Sequence, residues 1–149
     1  MSRLFENTEI NGMQLANRFV RSATWEGMAG SDGKCTPQLM KAMTDLAEGG
    51  VGLIITSHSY IRKDGQQRSS QIGIYDDYVI EGYRQMTRAV HKYDSKIAIQ
   101  INHAGLFAEG EITGLKPLAP SKVNGKWQSH QELTKEHTAD QYQNDIYIF

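Results

Sequence analysis

Lys96-Ile97-Ala98-Ile99-Gln100-Ile101-Asn102-His103-Ala104-Gly105 opens as an apolar run, takes one amide at Gln100 and closes on polar residues and a glycine. Its β-branched residues predict a strand over 97–102, with polar chemistry placed where that strand stops. Strand ends of this kind are where α/β proteins hold their ligands.

Working outward, Asp76-Asp77 caps a preceding helix whose Val79, Tyr83, Met86 and Val90 share one face, with an end near Tyr93. A polar connection over 62–70 separates it from Val51-Gly52-Leu53-Ile54-Ile55-Thr56, which reads as a parallel strand buried on both faces and ending at Ser57-His58-Ser59. Before that strand, Thr36-Pro37 supplies an N-cap and a first helical residue. Leu39, Met43, Leu46 and Ala47 recur at helical spacing, and Gly49-Gly50 supplies a stop, so a helix is expected over 37–48. Residues 27–35, punctuated by three glycines, read as a loop, and residues 17–25 as the first main strand. Asn11-Gly12 between two short segments signals a hairpin.

The order is hairpin, β, α, β, α, β, with short αβ links and longer, polar βα links. Parallel strands with right-handed crossovers follow, and both barrels and doubly wound sheets satisfy that pattern. Ala23-Thr24-Trp25-Glu26-Gly27 is not the glycine-rich turn that follows the first strand of a dinucleotide fold, which tilts the choice toward the barrel. Residues 106–132 read as a long irregular loop. Leu133-Thr134-Lys135-Glu136 looks like a helix start, and 137–149 continue without its apolar stripe.

At 149 residues, 39% hydrophobic and 22% charged, the chain has material for one domain, 1–149. A net charge of −1 gives no electrostatic reason to expect nucleic acid or an anionic membrane, which leaves a small molecule as the expected partner. The first ten residues carry Arg3, Glu6 and Glu9 and lack the apolar core of a secretory signal, and no later stretch is apolar enough to span a bilayer. Cys35 is the single cysteine, which fits a cytoplasmic location, and no local base marks it as a nucleophile.

Three strand ends converge on one rim in such a sheet: Ser22 to Trp25, Ser57 to Ser59, and Gln100 to His103. No carboxylate pair, Ser-His-Asp series or phosphate loop appears among them, so acyl and phosphoryl transfer lack their usual parts. An amide inside 97–101 must meet a donor and an acceptor or incur about 1–3 kcal/mol of desolvation. A heterocycle with alternating acceptors and N–H groups satisfies Gln100, and so does neighbouring backbone. His58 and His103 suit ligand, acid–base or structural roles, but two histidines without a third ligand do not make a metal site. Trp25 either stacks on a ring or packs. Lys34, Arg62, Lys63, Arg68 and Lys116 either steer an anion or are scattered surface charge.

Several stretches together resemble the Old Yellow Enzyme or NADH:flavin oxidoreductase family, which includes the 2,4-dienoyl-CoA reductases. They are Leu4-Phe5 with the hairpin, Leu15-Ala16-Asn17-Arg18-Phe19-Val20, Gly50-Val51-Gly52-Leu53-Ile54-Ile55, Gly73-Ile74-Tyr75 and residues 96–105, with a weaker likeness through Pro117-Leu118-Ala119-Pro120-Ser121 to Glu136. The resemblance implies about three βα units of a (β/α)₈ barrel, FMN at the strand ends, and NADH or NADPH as reductant. It implies hydride delivery to an activated alkene or an enoyl or dienoyl compound. By position it assigns cofactor contacts to Ser22, Ala23, Thr24, Trp25, His58 and Gln100, and no catalytic residue. Trp25 departs from the cysteine or threonine of many members, and Leu106 from their arginine. The family's later strands, with the substrate histidines, the proton-donating tyrosine and the phosphate-binding residues, have no counterpart here. The expected consequence is a truncated chain that is inactive alone, or a non-catalytic fragment acting by self-association or complementation.

Overall fold

The computed structural model describes residues 3–125 and 129–134. Asn11 (φ 45°) and Gly12 (φ 86°) both take left-handed backbone, the turn whose twist matches a tight hairpin, and join β1 (Thr8–Ile10) antiparallel to β2 (Met13–Leu15). The main sheet is parallel and ordered β3 (Val20–Arg21), β4 (Leu53–Tyr60), β5 (Lys96–Asn102). The helices α1 (Pro37–Glu48) and α2 (Ile80–Val90) make the crossovers. Thr36 Oγ1 accepts the Leu39 N–H at 3.1 Å, and the Asp76 carboxylate accepts the Tyr78 N–H at 3.1 Å in the 3₁₀ turn that leads into α2. Leu39, Met43 and Ala47 of α1 and Met86 and Val90 of α2 are buried with Ile54 and Ile72, forming the core between helices and sheet.

Asn17 sets where the sheet begins. Its Oδ1 accepts the N–H groups of Phe19 (3.0 Å) and Gly52 (3.1 Å), and its Nδ2 donates to Gly50 O at 2.7 Å. A Cβ on Gly52 would stand 2.7 Å from that Oδ1, so the approach requires glycine.

Three expectations are corrected. β3 is two residues long, where a strand over 17–25 was expected, because its regular pairing with β4 covers only Val20 and Arg21. β4 does not stop at Ser57-His58-Ser59 but carries them inside the strand to Tyr60, with Ser57 and Ser59 buried. A bulge accommodates them: Ile55 faces Ala98 and His58 faces Gln100, so β4 holds one extra residue, and Thr56 Oγ1 accepts the Gln100 N–H across the gap at 3.3 Å. Finally, β5 is not a buried strand. It is the edge of the sheet among the described residues, and Ile99, Gln100 and Ile101 are exposed.

Within 106–132 the described residues include the short helix α3 (Gly110–Thr113) and the parallel pair β6 (Leu118–Ala119) and β7 (Gln131–Glu132). Leu133 N–H donates to Ala119 O at 2.8 Å, so the chain extends this pair up to Leu133, just before Thr134, the residue expected to cap the next helix. The rest of that expected helix, and 137–149, lie outside the described residues. No helix among the described residues is long and apolar enough to cross a membrane.

Candidate functional site

Partner residues in a parallel ladder project to the same face of the sheet, so the His58–Gln100 pairing sets these two side chains next to each other. The Trp25 ring lies 5.5 Å from the His58 ring, tilted by 35°. Three residues distant in sequence therefore form one row along the rim. Ser22 and Thr24 are exposed and Ala23 is half-buried beside them.

The segment carrying Ser22 to Trp25 is held by residues the sequence did not single out. Arg21 Nη1 donates to Ile55 O at 2.9 Å, its Nη2 reaches Thr24 O at 3.3 Å, and the same guanidinium pairs with Glu26 at 2.6 Å. Thr24 Oγ1 donates back to Ser22 O at 3.1 Å. This clamp leaves the N–H groups of Ala23, Thr24 and Trp25 without a hydrogen-bond acceptor among the described residues. Gln71, fully buried, donates from Nε2 to His58 O at 3.1 Å, while its Oε1 accepts the Gln67 N–H at 2.7 Å. The polar connection after β4 is thereby folded back behind His58.

These groups present open hydrogen-bonding capacity. His58 Nε2 is buried and makes no hydrogen bond, and the Gln100 amide makes none among the described residues. The expectation that strand burial forces Gln100 to find partners is thus corrected: an edge position leaves its donor and acceptor to solvent or a ligand.

A second cluster lies just past β4. Arg62 grips Asp64 with two bonds of 3.0 Å, His103 Nε2 stands 3.3 Å from the same carboxylate, and Gly105 N–H donates to His103 Nδ1 at 3.0 Å. Because Nδ1 accepts, the ring proton sits on Nε2 and points at Asp64. Burial alone would raise the Asp64 pKa, but the bonds from His103 and Arg62 outweigh it and hold the carboxyl well below the usual range. His103 is thus a structural hydrogen bonder linking the loops after β4 and β5. Lys34 pairs with Asp32 (2.8 Å) and Arg68 with Glu109 (3.7 Å). Burial pushes the Cys35 thiol up to about 11, which suits its inert reading. No group of three or more metal-ligating side chains occurs among the described residues.

A family model described as the NADH:flavin oxidoreductase / NADH oxidase family matches residues 3–147. The chain belongs to this family. FMN is the cofactor of the NADH:flavin oxidoreductases, with NADH or NADPH as reductant. Similar curated proteins include an NADH oxidase of Thermoanaerobacter brockii, 35% identical over 80% of this chain and 19% of that protein. An NADPH dehydrogenase of Bacillus subtilis is 39% identical over 81% and 35% respectively. The Old Yellow Enzyme from Pichia sp. AKU4542 superposes with a TM-score of 0.86 at 25% identity, over 96% of this chain and 40% of that one. The chain therefore spans between about a fifth and two fifths of the length of these relatives. The fold expectation is borne out: these are the hairpin and first βα units of a (β/α)₈ barrel.

Proposed function

We propose that this chain supplies the first flavin-facing rim of an FMN-dependent NAD(P)H oxidoreductase of the ene-reductase or dienoyl-reductase type. The observation that carries the reading is the row Trp25, His58, Gln100, with one buried ring nitrogen and one amide left unpartnered. A flavin pyrimidine edge alternates acceptors and N–H groups, and a side-chain amide offers the complementary pair, so the residues present fit the group. Gln100 would hold that edge, and the N–H groups of Ala23, Thr24 and Trp25 would face the ring's N5 and O4 side. Ser22 lies at the start of that segment, and His58 would lie against the ring from β4.

When bound, FMN would supply hydride chemistry between NADH or NADPH and the β-carbon of an activated alkene or an enoyl or dienoyl compound, whose α-carbon would take a proton from an acid outside the described residues or from water. The protein's own part is positional. Arg21 and Glu26 fix the loop, the bulge at Thr56 aims His58 beside Gln100, and the Trp25 ring shields one side from water.

By itself the chain turns over no alkene in this reading, because it spans only about a fifth to two fifths of the length of its relatives. A second reading is a non-catalytic unit that pairs with a complementary segment or with itself. The exposed Ile99, Ile101 and Val20 on β5 and β3 favour that association. The test is FMN titration of the purified chain followed by NADH, with gel filtration alongside. A shifted flavin absorbance supports the first reading. No retained flavin together with a dimeric or larger species supports the second.

A further inference from the structure

His103 sits between two loops and joins them through both of its ring nitrogens. The 3₁₀ turn Lys63–Gly65 follows β4, and the 3₁₀ turn Gly105–Phe107 follows β5. Ala104 N–H donates to Gly65 O at 3.0 Å and Glu109 N–H to Gln66 O at 2.9 Å, so the two backbones run side by side. His103 spans them, with Nε2 on Asp64 and Nδ1 under the Gly105 N–H. Turning the ring over would exchange Nε2 for Cε1 at Asp64, so a flip offers no equivalent arrangement.

The two bonds answer a proton in opposite senses. Nδ1 accepts the Gly105 N–H only while it keeps its lone pair, and a second ring proton turns it into a donor facing a donor. The same positive charge strengthens the bond from Nε2 to the Asp64 carboxylate, 3.3 Å away with both side chains 11% exposed. Burial works against the Asp64 charge, yet the bonds from His103 and Arg62 keep this carboxyl ionised through neutral and mildly acid solution. The ring is therefore the member of the pair that changes charge. Around this joint Arg62 grips Asp64, Lys63 rests 4.3 Å over the Tyr75 ring, and Lys116 lines a cleft with Asp64. Those three cations disfavour the added proton and Asp64 favours it, while Glu109 is paired with Arg68 at 3.7 Å and Glu111 of α3 is exposed.

Nothing inside the turn replaces Nδ1 as acceptor. The turn's own bonds run from Phe107 N–H to Ala104 O and from Ala108 N–H to Gly105 O, both 3.0 Å, and leave the Gly105 N–H to the imidazole. We propose that His103 is a proton-operated latch. Neutral, it fastens the loop after β5 to the loop after β4; protonated, it stays on Asp64 and releases the Gly105 N–H, loosening 105–107 where the chain leaves the rim strand. The latch stands independently of the flavin reading of the rim.

Nuclear magnetic resonance of the full chain from about pH 8 to about pH 5, the range in which histidines as a class take up a proton, tests it. Ring nitrogen shifts of His103 report tautomer and charge, and amide exchange at Gly105, corrected for its intrinsic pH dependence, reports the bond. The neutral ring is expected to carry its proton on Nε2. Once the ring is charged, the Gly105 amide should exchange at least about tenfold faster, the scale of one lost hydrogen bond, with one midpoint for both signals. Ile74 N–H, bonded to Tyr60 O at 2.9 Å, should keep its protection throughout, which separates the latch from global unfolding. Asp64→Asn is expected to move both midpoints together to lower pH, because the carboxylate no longer favours the imidazolium; if that variant does not fold, the wild-type titration decides alone. Gly105 protection that stays flat across the His103 titration overturns the proposal, as do midpoints that part in Asp64→Asn. So does a neutral ring protonated on Nδ1, a ring still neutral when the chain unfolds, or loss of Ile74 protection at the same midpoint.

Discussion

Gly65→Ala tests how the loops after β4 and β5 are locked together. A Cβ at this position would lie 2.5 Å from His103 Cδ2, 2.7 Å from Cγ and 2.9 Å from Nε2, closer than carbon atoms approach in folded proteins. The ring must move, and its two bonds move with it: Nε2 to Asp64 at 3.3 Å and Nδ1 from the Gly105 N–H at 3.0 Å. Both side chains of the ion pair are only 11% exposed, so water does not restore what is lost. One charge-assisted and one neutral hydrogen bond together give an expected loss of about 2–4 kcal/mol. Urea unfolding of the full chain, followed by far-UV circular dichroism, measures it. His103→Ala supplies the decisive comparison, because removing the ring removes the clash, and Gly65→Ala then costs about 0.5 kcal/mol, the scale of an unobstructed surface change. An equal cost in both backgrounds would refute the steric account.

Thr36→Ala removes the N-cap of α1 and should destabilise by about 1 kcal/mol, with Thr36→Ser restoring most of it in the same assay. Acid unfolding should expose Asp64. Its folded pKa is depressed, so its contribution is complete above the unfolded carboxylate value of about 3.9 and is lost as pH falls through the folded value. Asp64→Asn should therefore flatten the stability-against-pH curve below about pH 4. An unchanged curve removes the Asp64 network from the acid response. Asn17→Ala frees three backbone partners at the foot of the sheet and should cost about 2–3 kcal/mol, read from the urea midpoint at constant slope.

Local signals made the fold legible. Asn11-Gly12 dictates its turn, Thr36-Pro37 its helix start, and the β-branched run after Gly52 its buried strand, because each depends on neighbours in sequence. Signals that depend on sheet position failed. Ile97 to Ile101 has the composition of a central strand, yet its exposure follows from which strand lies beside it, and composition does not say that β5 is an edge. The bulge at Thr56 was equally hidden, since an extra residue in β4 has meaning only against its partner. At the proposed site, Trp25, His58 and Gln100 were assigned by resemblance; the structure sets the Trp25 ring beside His58 and pairs His58 with Gln100 in the sheet. Arg21, Asp64 and Gln71 were missed, and Glu26 with Arg21, because a charged or amide residue reads as solvated until its partner 13 to 39 positions away is known.

The central claim is that the rim binds a flavin ring through Gln100 and His58. Riboflavin titrated into the full chain, followed by the shift of flavin absorbance and the quenching of the fluorescence of its two tryptophans, Trp25 and Trp127, tests it most directly. The account predicts saturable binding, weakened about tenfold by Gln100→Ala, the loss of a hydrogen-bonded amide pair, with unchanged circular dichroism. Saturable binding with the same affinity in Gln100→Ala, or no binding at all, would contradict it.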